Sequence, residues 1–210
     1  MKFTKTFKEY ISTLVRSRSA RLNLTLIVGS LINFLYIAGN IASAIMYNSV
    51  WSATVSLYHL MLITIRLYLF LSARKEGLAL NKLLLRVGIL LLFLDLSCAA
   101  IMLYTVGRER YASYSGFLLF AFLSFAVYSM TSSILSMRRH SGENKQLHFA
   151  AKSLSLSTSL MSVFNLQYSI LSLLGAGSHL RSVAILVGGF AVFSVILSLS
   201  IGLIRRASRL

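Results

Sequence analysis

The chain has 210 residues, 57% of them apolar and 12% charged, with 21 Lys and Arg against 5 Asp and Glu and a mean hydropathy of +0.77. A soluble globular domain carries about a quarter charged residues, so this composition excludes one and points to a membrane protein. The few acids make a paired-carboxylate enzyme implausible, and the single Cys98 excludes an intramolecular disulfide.

Residues 2–21 place Phe3, Phe7, Tyr10, Ile11 and Leu14 three or four apart, with Lys2, Lys5, Lys8 and Glu9 between them. That spacing is read as an amphipathic helix lying on a lipid surface, with a solvated basic arm as the other reading. The chain therefore divides into an amino-terminal segment, 1–21, and a membrane domain, 22–210. Ala42-Ser43-Ala44 matches a signal-cleavage pattern, but the preceding run contains Asn33 and Asn40 and begins late, so cleavage is not expected.

Six mostly apolar windows follow, near 24–46, 50–72, 83–105, 112–136, 150–174 and 182–204. Each can cross a hydrocarbon core of about 30 Å at about 1.5 Å per residue. The expected fold is all-α, a polytopic bundle of six transmembrane helices. The longest connection, Met137 to Phe149, leaves no room for a soluble domain.

The first window carries Thr25, Gly29, Asn33, Tyr36, Asn40, Ser43 and Tyr47 at steps of three and four, hence on one helical face. The second carries Ser52, Ser56, His59 and Arg66 in a similar register, and the third carries Asp95 near its centre. Span five repeats the pattern with Ser155, Thr158, Ser162, Asn165, Ser169 and Ser172, with Gln167 close by. A polar face turned to lipid leaves its groups unsatisfied, so these stripes should face one another or water. Two readings follow: dry hydrogen-bonded packing, or a polar pocket or hydrated path whose candidate residues are Arg66, Asp95, His59, Asn33, Asn40, Asn165 and Gln167.

Arg66 and Asp95 lie in adjacent antiparallel spans, and side chains lean toward the amino end of their helix, so the two lean toward one another. A buried ion pair between them is expected. It serves either as an orientation lock or as the charged centre of a site, with His59 available for proton exchange. The chain lacks proline, which favours unbroken helices; Gly175-Ala176-Gly177 and Gly188-Gly189 are its weak points.

If the spans alternate, the basic residues of the amino-terminal arm, the second and fourth loops and the tail share one side, against Arg108, Arg110 and Arg181 on the other. The positive-inside rule then puts both termini in the cytoplasm of a plasma-membrane protein. Its net charge of +16 is explained by attraction to anionic headgroups of the bilayer and not by nucleic acid. Trp51, Tyr47, Tyr104, Tyr111 and Tyr114 fall at outer span ends, as an aromatic belt does. At an offset of 100 residues, Leu60-Met61, Tyr68, Leu71-Ser72 and Gly77 match Leu160-Met161, Tyr168, Leu171-Ser172 and Gly177, which permits a three-plus-three inverted repeat.

No metal is expected at His140 and His148, which have only Glu143 nearby, and no nucleotide, hydrolase or metalloprotease motif occurs. Neither enzyme nor cofactor is therefore expected. The stretches NSVWSATVSLYHLMLITIRLYLF and SLMSVFNLQYSILSLLG resemble corresponding spans of a family of small six-span membrane proteins from Gram-positive bacteria, on Ser49, Trp51, Tyr58, Arg66, Leu166 and Gln167. His59 stands where that family has a second tyrosine. The resemblance implies a bacterial plasma-membrane location and no particular activity. The leading functional expectation is a protein that binds or moves a small solute or ion through its polar interior. The alternative is a structural or accessory subunit, a homo-oligomer or partner-protein component, that docks a partner or anionic lipid on its basic face.

Overall fold

The computed structural model describes residues 18–73, 80–107, 116–138, 145–173 and 178–209, and these form six helices with no strand among them. They are α1 (Arg18–Tyr47), α2 (Val50–Ala73), α3 (Leu80–Gly107), α4 (Gly116–Arg138), α5 (Lys145–Leu173) and α6 (Ser178–Ala207). Each covers an expected window to within a few residues, because runs of Leu, Ile, Ala, Phe and Ser without proline leave the helix as the way to pair every backbone group. The amphipathic helix expected over the amino-terminal segment falls mostly outside the described residues; Arg18 to Arg21 belong to α1.

The α1–α2 connection is the tightest. Asn48 takes a left-handed backbone (φ 48°), and the Ser49 amide donates to the Ala44 carbonyl at 3.1 Å, closing α1 in a Schellman-type cap. Ser49 Oγ then accepts from the Ser52 amide at 3.2 Å and starts α2. The short turn makes α1 and α2 antiparallel partners, with Ser43 and Ser52 hydroxyls 3.3 Å apart.

The most extensive helix pair is α3 with α6, followed by α4 with α5 and α1 with α2. Glycines explain the first: a Cβ on Gly88 would lie 2.8 Å from Ile204 Cγ1 and 3.2 Å from the Ser200 carbonyl oxygen. Gly188 and Gly189, the candidate weak point, do not break α6, which runs continuously as the absence of proline favours. They are where Gln167, Met102 and Phe164 press against its backbone. The α4–α5 pair is joined by hydroxyls, Ser129 and Ser133 meeting Ser159 at 2.8 and 2.6 Å. Helix α5 packs on α2, α3, α4 and α6 and bonds to α1 through Asn165, so the most serine-rich helix is also the central one.

The distribution of polarity is inverted relative to a water-soluble fold. Large apolar side chains such as Ile45 (78%), Phe93 (73%) and Phe190 (77%) stand exposed, whereas Asn40, His59, Ser162 and Asn165 are fully buried. Three helical stretches, Val50–Ser72, Leu80–Val106 and His179–Ala207, are long and apolar enough to cross a membrane among the described residues, and Leu119–Ile134 is a shorter apolar one. The serine-rich helix α5 does not reach that measure.

Candidate functional site

The polar stripes of α1, α2 and α5 converge. Asn165 of α5 occupies the junction: its Oδ1 accepts from Trp51 Nε1 at 3.0 Å, and its Nδ2 donates to Tyr36 Oη at 2.7 Å and to Asn40 Oδ1 at 3.2 Å. Asn40 Nδ2 returns to the Tyr36 carbonyl at 2.9 Å. An Asn amide has one oxygen and two N–H donors, so Asn165 is fully used in tying three helices together. Trp51 lies stacked on Tyr168, with ring centroids 5.1 Å apart, and edge-on to Phe164 at 5.3 Å.

Two turns along α2, His59 Nδ1 lies 2.9 Å from the Val55 carbonyl and Nε2 lies 3.4 Å from Ser162 Oγ of α5. A carbonyl only accepts, so Nδ1 carries the proton. The imidazole is covered by Tyr36 of α1, with centroids 4.6 Å apart, and Tyr36 stacks in turn on Phe125 of α4 at 4.0 Å. Further along, Arg66 Nη2 donates to Thr158 Oγ1 at 2.8 Å and to the Leu154 carbonyl at 3.3 Å. The pairs Trp51–Asn165, His59–Ser162 and Arg66–Thr158 descend α2 while ascending α5, so these helices run antiparallel along one seam.

Among the described residues, the ion pair expected between Arg66 and Asp95 does not form. The register that carries Ser52, Ser56 and His59 turns Arg66 toward α5, where Thr158 Oγ1 gives its own proton to Leu154 and offers lone pairs to the guanidinium. Asp95 is 2% exposed on α3 and its Oδ1 has no partner; Arg66 is 7% exposed and its Nε has none. The Tyr58 hydroxyl on α2 is also fully buried and unpartnered. Asn33 Nδ2 and Ser153 Oγ are likewise buried without a partner.

Of the sequence candidates, Asn40, Asn165, His59 and Arg66 thus share one seam. Asn33 is buried on α1, two turns from Asn40, and Asp95 lies across on α3. Gln167 points elsewhere: its Nε2 donates to the Ala184 carbonyl of α6 at 2.9 Å. Trp51, assigned from sequence to an interfacial belt, is 1% exposed, whereas Tyr104, at 54%, keeps the exposure a belt residue needs. Trp51 falls in step with Val55, Tyr58, Leu62, Ile65 and Leu69, a fully helical core spacing that was the available signal for its burial. Tyr36 and Thr158 stand on the expected polar stripes but were not among the candidate site residues, and Tyr58 entered only through the family resemblance.

No metal-binding group of three or more His, Cys, Asp or Glu occurs among the described residues. Comparison with family models, with curated proteins and with solved structures finds no match for this chain.

Proposed function

We propose that the chain is a six-span plasma-membrane protein, both termini cytoplasmic, that binds and moves a small solute or ion through the polar seam among α1, α2 and α5. The observation that carries this reading is Arg66: a buried cation with no anion beside it among the described residues, and with an unpartnered Nε. Buried charges are costly in a bilayer and are retained where they act on a solute or ion. The alternation of apolar exterior and polar interior supports six spans, α1 and α5 being tolerated because their polar faces turn inward.

A three-plus-three inverted repeat belongs to the same proposal and is supported by the packing. Exchanging α1-α2-α3 for α4-α5-α6 turns the α1–α2 contact into α4–α5 and α2–α3 into α5–α6, and returns α1–α4, α2–α5 and α3–α6 onto themselves. Only α3–α5 lacks its counterpart. The offset of 100 residues extends into the best-packed pair, where Leu80, Val87-Gly88, Phe93, Ile101 and Leu103 match Leu180, Val187-Gly188, Phe193, Ile201 and Leu203. His59–Ser162 adjoins the Leu60/Leu160 couple, so the seam lies at the crossing of equivalent helices, where transporters with such repeats hold their substrate. The bacterial six-span resemblance is part of this proposal as a location only.

The test is water access. In a Cys98→Ser background, Ser56→Cys, Thr158→Cys and Ser162→Cys should react with a membrane-impermeant thiol reagent in oriented vesicles, while Ser129→Cys at the α4–α5 contact should not. Seam cysteines that stay unreactive from both sides in folded protein refute the transport reading. That result favours the second reading, an accessory subunit docking a partner or anionic lipid, for which the fully satisfied Asn165 junction speaks.

A further inference from the structure

Arg66 on α2 and Asp95 on α3, side chains of opposite charge type, are both buried on helices that pack against each other, without touching. Arg66 Nε and Asp95 Oδ1 are both unpartnered, and so is the hydroxyl of Tyr58, about two helical turns from Arg66 on α2. All three side chains are more than nine-tenths buried. Helices α2 and α3 are antiparallel, with Arg86 donating to Tyr68 Oη at 3.0 Å; counting ten residues up each helix brings Tyr58 level with the Asp95 region. Arg66 leans along α2 toward Tyr58, and Asp95 leans along α3 toward the level of Arg66. Thr158 and Leu154 engage the guanidinium at Nη2, and its buried Nε has no partner.

An isolated buried charge is unfavourable, and two that fail to meet are doubly so unless something completes both. A lone anion satisfies Arg66 and leaves Asp95 stranded; a lone cation does the reverse. We infer that the solute is a zwitterion, a small molecule with a carboxylate or similar anionic group at one end and an ammonium at the other. Its anionic end accepts from Arg66 Nε and the Tyr58 hydroxyl, and its ammonium donates to Asp95 Oδ1. The bound state is then neutral as a whole, which suits passage through a low-dielectric interior. The inference rests on the proposed transport reading and names its substrate class.

The experiment is a thermal-melt titration of the full chain in lipid nanodiscs with glycine, beta-alanine and gamma-aminobutyrate, a series that lengthens the distance between the charges. Acetate, methylammonium and chloride serve as singly charged controls. At least one zwitterion should raise the melting midpoint by roughly 5 to 10 °C at about a hundredfold excess over its Kd, with the controls inert. Arg66→Gln and Asp95→Asn should each weaken that binding by about 10- to 150-fold, the span expected of a hydrogen bond to a charged group. Tyr58→Phe, which keeps the ring and its packing, should weaken it by roughly 5- to 10-fold and so reports even if a charge variant misfolds. Acetate acting as strongly as the zwitterions, with Asp95→Asn without effect, overturns the inference while leaving the transport reading intact. A series in which no zwitterion shifts the midpoint overturns it too, whereas seam cysteines sealed from water sink the transport reading by a separate route.

Discussion

Replacing Asn165 by alanine tests whether its three hydrogen bonds hold the interior together. The change removes the acceptor of Trp51 Nε1 and the donor of Tyr36 Oη and Asn40 Oδ1 at a fully buried position. Hydrogen bonds between membrane helices average about 0.6 kcal/mol and reach about 1.7, so three of them set a floor near 2 kcal/mol. The stranded groups raise the cost, because a buried donor or acceptor left unmet costs about 1 to 3 kcal/mol. Tyr36 and Asn40 can still turn to one another, which limits the stranding chiefly to Trp51; the expected loss is about 2 to 4 kcal/mol. Trp51→Phe removes one donor, leaves Asn165 Oδ1 unmet and should cost about 1 to 2 kcal/mol beyond its lost ring area. Reversible unfolding in mixed micelles, titrated with denaturing detergent, measures both variants and their combination. Because the two residues share one bond, the double variant should fall short of the sum by roughly 1 kcal/mol. Additive losses, or an Asn165→Ala variant within about 0.5 kcal/mol of the parent, would refute the reasoning.

The missing Arg66–Asp95 pair changes what charge removal should do. Arg66→Met loses two hydrogen bonds but strands no anion, so stability should hold or rise by about 1 kcal/mol in the same assay, while the zwitterion binding proposed above should disappear; a loss of about 3 to 5 kcal/mol would instead reveal a structural ion pair. Gly88→Ala gains about 1 kcal/mol of helix propensity, yet its methyl meets the Ser200 carbonyl and Leu203 on a helix that cannot retreat alone. A net loss of about 1 to 2 kcal/mol is expected, and a stabilised variant would contradict the close α3–α6 approach. Spin labels at Phe93 and Phe190, both exposed apolar sites, should collide more readily with oxygen than with a water-soluble nickel chelate. The reverse order at both sites would argue against a lipid-facing exterior.

The helices were legible in the sequence almost to their ends, since the apolar windows that bound α2, α3 and α6 need no tertiary information to be helical. So were the inward faces: steps of three and four in α1 and α5 put Asn40 and Asn165 on single stripes, and a stripe of amides has nowhere stable to go but inward. Charge pairing was not legible. Arg66 and Asp95 could be placed at converging depths by helical rise, but depth is one coordinate; the rotation of α2 about its own axis decides whether a guanidinium meets α3 or α5. That rotation depends on packing, with Trp51 of α2 set against Tyr168 and Phe164 of α5. The same holds for Gln167, which a linear reading placed with its neighbour Asn165, although about 200° of helical rotation separates two residues that are two apart and sends it to α6. Composition and period therefore determined the elements and their buried faces, both of which depend on local chemistry and on distance from water. Which buried groups touch was decided by how six cylinders fit together, a property of all their side chains at once.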